Sequence, residues 1–498
     1  MAFEYLPMYF DSWLILYLLV GYFIGFFFGA VPGLTSTLAI SLLLPITFGM
    51  EVINALVTCV GIFVGGIYGG GVTGILINIP GAPAAAITVT EGYKLTQQGK
   101  AGRALSHGAF SSMVGGMVGA LFTIFFIQYI ADLSLHFKTP DKFSLILMAI
   151  VVSMLINSND LGKGIISTLL GLMVAAIGID TFEARPRMSF GIENIREGVQ
   201  LLTVVVGTFA ISEIFTQLAT TPLRAKEVLS RLKLTKDSYN FKPKYKDIKE
   251  IGLWCYLRSS IIGFLTGILP GAGAAMASLI SYAVAKAFSR KKDQYGKGSL
   301  EGISAAETAN NAMCPGAIIP LLTFGIPGDA VTALILGVFT LHGLIPGPML
   351  MVEQADTMGP MLLAFLITPA LIFISLFIFG RYYIKIPLVN RQFLYPFIAF
   401  TAMVGLYAAT YSIVQLVHAV IIGFVIFLLS ARDYPAVPFL LGFILGPYFE
   451  KSFRTSMALS GGDVTIFFRS SFSLFFLILS VAMIYFLGIR LPETLKKK

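Results

Sequence analysis

The sequence predicts an all-α polytopic membrane protein, built as an inverted-topology repeat with two helical hairpins and broken transmembrane helices. Three observations carry this expectation. The chain is strongly apolar, one glycine–proline motif occurs twice, and the loops around its two copies carry opposite charge.

Apolarity comes first. Hydrophobic residues make up 56% of 498 and charged residues 12%, with a mean hydropathy of +0.83. A water-soluble chain of this length needs far more polar surface, whereas lipid asks for none. Runs such as Leu14–Ala30, Leu105–Ala131, Ile165–Ile179, Met361–Phe379 and Phe472–Leu487 suit helices crossing a hydrocarbon core of about 30 Å. Alternating ten-residue strands are absent, which argues against an outer-membrane barrel. The 50 glycines and 23 prolines point to close helix packing and deliberate breaks. Cys59, Cys255 and Cys314 follow no metal-ligand spacing and read as small buried thiols. The apolar N-terminal run has no basic flank, so it reads as a retained helix and not a cleaved signal.

The repeat comes next. "GFFFGAVPGL" (Gly25–Leu34) and "GFLTGILPGA" (Gly263–Ala272) share the frame G-x-x-x-G-x-x-P-G. Downstream, "NIPGAP" (Asn78–Pro83) matches "GIPGDA" (Gly325–Ala330), and the longer basic loop of the second copy absorbs the difference in spacing. Such self-similarity marks a duplicated architecture.

Charge then orients the copies. Arg224, Lys226, Arg231, Lys233, Lys236, Lys242, Lys244, Lys246, Lys249 and Arg258 precede the second Pro-Gly, and "KAFSRKKDQYGK" (Lys286–Lys297) follows it. Basic loops stay in the cytoplasm, so this segment enters and returns as a hairpin with Pro270-Gly271 at its tip. The first copy is flanked by Glu4, Asp11 and Glu51 without a base, so its hairpin enters from outside. The loop after the first Ile-Pro-Gly is basic (Lys94, Lys100, Arg103), and the loop after the second carries Glu353 and Asp356. The loops therefore predict halves 1–220 and 255–498 of opposite topology, joined by a cytoplasmic linker at 221–254. They also predict about eleven crossings, a periplasmic N-terminus and a cytoplasmic C-terminus at Lys496–Lys498. The net charge of +9 is thus topological, and nucleic acid is not an expected partner.

A helix that restarts after Pro-Gly presents free N–H groups and its positive dipole end, which favours anions. Broken helices in inverted pairs hold substrate and coupling ions in many secondary transporters. The candidate binding residues are Gly33, Thr35, Ser36, Asn78, Pro80 and Gly81 in the first half. In the second they are Gly271, Gly273, Asn310, Asn311, Pro327 and Gly328, with a further helix interruption expected at "NNAMCPG". Thr35 and Ser36 also suit plain N-caps, and each Pro-Gly taken alone suits a packing kink. Asp329 is placed to cap a helix or bind a cation. Glu307 lies in an apolar stretch, where a functional role is the first expectation, while its closeness to a polar loop also suits a merely interfacial position. His107 and His342 read as interfacial. No catalytic residue and no metal-ligand set emerges. The chain has no G-x-x-x-x-G-K-[ST] for ATP. "SGGD" (Ser460–Asp463) matches the Gly-x-Gly-Asp of intramembrane aspartyl proteases only loosely, and no charged ring suggests a channel.

Long motifs in order also resemble the large permease subunit of the tripartite tricarboxylate transporters, the TctA-like family. They are "GAVPGLTSTLAISLLLPITFG", "GIYGGGVTGILINIPGAPAA", "GYKLTQQGKAGRAL", "GKGSLEGISAAETANNA", "PLLTFGIPGDAVTALILGVFTLHGLIPGP" and "LGFILGPYFEKSFRTSMALSGGD". The resemblance implies a non-enzymatic carrier of the bacterial inner membrane that imports citrate or related carboxylates. It implies a cation gradient, Na+ before others, as the driving force, and no other cofactor. Two partners are implied, a small membrane subunit (TctB-like) and a periplasmic solute-binding protein (TctC-like). A carrier that works without the binding protein is the alternative. The chain departs from the family's pattern after its two Ile-Pro-Gly motifs, at Ala82 and Asp329.

Overall fold

The computed structural model describes residues 2–11, 13–156, 160–180, 182–219, 235–386, 389, 394–485 and 488. Arg224, Lys226, Arg231 and Lys233 of the basic linker, and Lys496–Lys498, lie outside them. The described chain is helical apart from one two-stranded antiparallel ribbon, β1 (Gly178–Ile179) with β2 (Pro186–Arg187).

The repeated motif is repeated in backbone geometry. Helix α1 (Leu14–Ala30) ends where Pro32 removes a donor, Gly33 turns the chain at φ 85°, and α2 (Ser36–Thr47) restarts. In the second half α9 (Leu253–Ile268) ends before Pro270, Gly271 turns at φ 82°, and α10 (Gly273–Phe288) restarts. Left-handed φ is open to glycine at little cost. The second pair of breaks matches as well. Helix α3 (Val52–Ile77) closes on Asn78 at φ 61° before α4 (Ala86–Gln97). Helices α11 (Leu300–Gly316) and α12 (Ile318–Phe324) close on Gly325 at φ 70° before α13 (Ala330–Leu341).

The interruption expected at "NNAMCPG" is slighter than the others. Helix α11 runs through Pro315 and pauses at Ala317, whose N–H still reaches the Met313 carbonyl at 2.9 Å. One missing donor kinks a packed helix without stopping it.

The glycines of the motif set the packing. A Cβ on Gly25 would lie 2.2 Å from the Ile62 carbonyl oxygen, and one on Gly263 would lie 2.1 Å from that of Ala309. Helix α1 therefore meets α3, and α9 meets α11, backbone against backbone, as small residues allow in lipid. The halves interlock through α5 (Ala101–Ser134) and α14 (Ala355–Tyr383). Gly115 of α5 sits on the Thr308 carbonyl, with a Cβ there only 2.0 Å away, and Phe63 of α3 meets Phe365 of α14 edge to face at 6.4 Å.

Around this core stand α6 (Thr139–Ile156), α7 (Leu161–Ala175), α8 (Leu201–Ala219), α15 (Leu394–Thr410), α16 (Ile413–Ser430), α17 (Ala436–Leu459) and α18 (Ser471–Met483). Among the described residues six helices, α3, α5, α6, α8, α14 and α16, are long and apolar enough to cross a membrane alone. Two bent pairs raise that to eight. The hydrophobic runs suggest more crossings because α7 and α18 are short and the breaks divide others. The chain is a multi-pass membrane protein. The described end of the linker is no loose tether, for Thr235 and Ser238 both donate to the Gly99 carbonyl and Arg103 grips Asp247 with two hydrogen bonds of 2.6 and 2.8 Å. His107, expected at an interface, is buried beside that pair with Nε2 3.3 Å from Asp247.

Candidate functional site

The four helix restarts meet at one cavity of about 370 Å3. Thr35, Ser36 and Thr37 line it from the start of α2, and Ala82, Pro83 and Ala84 from the approach to α4. Gly271 to Ala275 and Asp329 to Val331 close it from the other half. Each restart directs backbone N–H groups and a positive dipole end toward the cavity.

Two of these ends are already occupied. Thr35 Oγ1 accepts from the Leu38 N–H at 3.1 Å, and Asp329 Oδ1 accepts from the Thr332 N–H at 2.8 Å. Asp329 and Thr332 form a reciprocal capping box, the Asp329 N–H donating to Thr332 Oγ1 at 2.8 Å. The other two ends have no side-chain cap: Ala82 precedes the short turn Pro83–Ala85, and Ala272 precedes α10. Before α4, Pro83 has no N–H and the Ala85 N–H donates to the Ala82 carbonyl at 3.0 Å, so that end offers a ligand the Ala84 N–H. At α10 the Ala272 N–H donates to the Leu269 carbonyl at 3.2 Å, and the first N–H groups of the helix, from Gly273 on, face a ligand. In the second half the two breaks are tied together, for the Gly271 N–H donates to the Gly328 carbonyl at 2.8 Å. In the first they touch, for a Cβ on Gly81 would lie 2.0 Å from the Gly29 oxygen.

Of the residues singled out from sequence, Thr35, Ser36, Gly271 and Gly273 line the cavity. Gly33, Gly81 and Gly328 stand behind it as the turn and the close contacts that shape it; a Cβ on Gly328 would lie 2.8 Å from Ala317. Asn78 is the left-handed end of α3, exposed like Pro80, while Pro327 is buried, and none of the three lines the cavity. Asn310 and Asn311 are not brought there either. They are buried in α11, where Asn311 Nδ2 donates to Asn310 Oδ1 at 2.7 Å and to the Glu307 carbonyl at 3.2 Å.

Sequence reasoning misses the wall supplied by α8. Thr208, Ser212, Glu213 and Thr216 line the cavity, and Glu213 accepts from Gln217 Nε2 at 2.6 Å. The available signal is three hydroxyls four residues apart on an apolar helix. A π turn at Val206–Ile211 carries Thr208, a feature frequent at functional sites. No Lys, Arg or His is among the described lining residues, and the two charged side chains there, Glu213 and Asp329, are carboxylates.

A second cavity of about 350 Å3 lies beside the Gly325–Asp329 break. Ile326 lines it together with Lys142 and Lys451 and the hydroxyl residues Ser134, Thr139, Thr323, Ser452 and Thr455. The break thus stands between a basic cavity and one whose described lining has no cationic side chain. Asp463 of "SGGD" is half-buried, and its described partners are Thr465 and Arg469, the latter at 2.5 Å, not a second aspartate.

Residues 15–441 match the family described as "Tripartite tricarboxylate transporter TctA family". An uncharacterized 52.8 kDa protein in the TAR-I ttuC' 3' region of Agrobacterium vitis is 32% identical over 454 residues, 91% of this chain and 89% of that protein. An uncharacterized protein in the TAR-II ttuC' 3' region of the same organism is 35% identical over 206 residues, 41% of this chain and 85% of that one. No solved structure matches.

Proposed function

We propose, from the premise that this chain belongs to the tripartite tricarboxylate transporter TctA family, that it imports small organic carboxylates by secondary, cation-coupled transport. In this reading it resides in the bacterial inner membrane with its N-terminus in the periplasm and its C-terminus in the cytoplasm. Na+ is the coupling ion, a small membrane subunit is its companion, and a periplasmic binding protein delivers the substrate. Tricarboxylates such as citrate are the substrate class tested first.

One observation carries the reading: four helix restarts surround one cavity with no cationic side chain among its described lining residues. The first N–H groups of α10, with that of Ala84 before α4, suit a carboxylate, which they bind by charge-assisted hydrogen bonds. The hydroxyls of Thr35, Ser36, Thr37 and Thr208 suit the remaining oxygens of a polyoxygenated acid. Binding without Lys or Arg leaves charge to be balanced by co-bound cations, which couples the two movements.

The test is reconstitution. In proteoliposomes with an inward Na+ gradient, this chain alone transports little citrate at low concentration, and the small subunit with loaded binding protein restores Na+-dependent uptake. Full uptake by the chain alone points instead to a self-sufficient carrier, and unsaturable, gradient-independent flux points to a channel. At the site, a charge-assisted hydrogen bond is worth about 1.5–3 kcal/mol. Ser36→Ala therefore weakens substrate binding about ten- to a hundredfold at normal membrane abundance. Unchanged affinity in Ser36→Ala and in Gly273→Val, whose side chain would enter the cavity, removes the carboxylate from this site.

A further inference from the structure

Glu307 is a buried carboxylate that the substrate cavity does not use. It lies on α11, one turn before Asn310 and Asn311, and all three side chains are enclosed. Thr88 Oγ1, just inside α4, donates to Oε1, and Ser112 Oγ of α5 donates to Oε2 at 3.1 Å. Among the described residues no Lys, Arg or His pairs with it. Among the described residues Asn311 Oδ1 and Asn310 Nδ2 find no hydrogen-bond partner. Helices α3 and α5 turn glycines toward the group: a Cβ on Gly71 would lie 3.0 Å from Oε1, and one on Gly108 would lie 3.9 Å from Cγ.

An uncompensated carboxylate is costly inside a membrane protein, and so is an amide oxygen left without a donor. A proton on Glu307 would neutralise the charge and satisfy one acceptor. A small hard cation neutralises the charge and serves several oxygens together. Hydroxyls suit this, because they rotate to offer lone pairs once the cation replaces their present acceptor. We propose that Glu307, Thr88, Ser112 and Asn311 form a Na+ site, with Glu307 supplying the charge and the others neutral oxygen. Thr88 and Ser112 belong to the first half and Glu307 and Asn311 to the second, so the bound ion joins the halves. The inference deepens the cation-coupled reading above and rests on it.

The experiment is thermal unfolding of the purified full-length chain in detergent, with NaCl, LiCl, KCl or choline chloride at constant ionic strength. Na+ raises the unfolding temperature of the parent more than choline does. Glu307→Gln and Thr88→Val raise the half-maximal Na+ concentration about tenfold or more, while Thr88→Ser keeps the response. Gly71→Ala, which crowds Oε1, weakens it too. Thr88→Val and Thr88→Ser decide the matter should Glu307→Gln not fold. An equal Na+ shift in parent and variants overturns the site, as does no Na+ shift at all. An acid-dependent shift that Glu307→Gln abolishes, without any Na+ effect, assigns the group to a proton and overturns the metal. Citrate is titrated in the same assay. A Glu307-dependent Na+ response with no citrate response keeps the site and removes the carboxylate reading, and the reverse pattern keeps that reading and removes the site.

Discussion

Asp180 shows how much one side chain can hold in a loop. Arg454 Nη1 donates to both its oxygens, at 3.0 and 2.8 Å, and the Phe182 N–H donates at 2.7 Å. These contacts, the Arg454 hydrogen bond foremost, hold its carboxyl down at about 2. A depressed carboxylate contributes fully above its ordinary value of about 3.9 and loses that contribution as pH falls through the folded value. The parent should therefore unfold at a higher temperature than Asp180→Asn at pH 5, and the gap should close as pH falls from about 4 to about 2. Melting curves across that range check it, and a gap that persists at the acid end removes the carboxylate from the argument. Gly33 and Gly271 make a second case, at φ 85° and 82°. Alanine at either costs about 1–2 kcal/mol, read as lower thermal stability, and Gly271→Ala costs more because its Cβ would lie 3.0 Å from Ser153 N.

At the scale of elements, the hairpins depend on backbone contact. Gly25→Leu should sharply reduce folded protein recovered from membranes, since even a Cβ meets the Ile62 oxygen at 2.2 Å. The exposed Gly49→Leu, whose Cβ meets nothing closer than the Ile46 oxygen at 3.8 Å, is the control. Normal recovery of Gly25→Leu would mean that the α1–α3 seam is looser than described. These elements are legible in the sequence for a plain reason. Proline removes a donor and glycine admits left-handed φ, so Pro32-Gly33 and Pro270-Gly271 announce their own geometry. Asn78 and Gly325 are legible only by pairing, as matched positions of a repeat. The α8 wall is not announced, because its π turn inserts a residue that a 3.6-residue period does not register. Asn310 and Asn311 read from sequence as candidate binding amides at a helix interruption, yet they lie buried away from the cavity, because which seam they face depends on how α5 lies on α11. That is decided by Gly115 and Gly119, far away in sequence.

At the scale of the whole molecule, the loops' charges predict its sidedness. Glu51, Lys244, Lys292 and Glu353 are all exposed, and the native Cys59, Cys255 and Cys314 are buried and silent. Single cysteines at Glu51 and Glu353 should react with an impermeant thiol reagent added to the periplasmic side, and those at Lys244 and Lys292 should not. Labelling of all four from one side would contradict opposed halves. The partition at Gly325–Asp329 has one more consequence. Were solvent from opposite faces of the membrane to fill the two cavities, a transmembrane voltage would not be spread over the thickness of the bilayer but would fall steeply across those few residues. Each elementary charge carried through the full field gains about 2.3 kcal/mol per 100 mV. A shift of a few ångströms at that partition would then move ions through most of the voltage drop, so that a small displacement has the electrical effect of a long one.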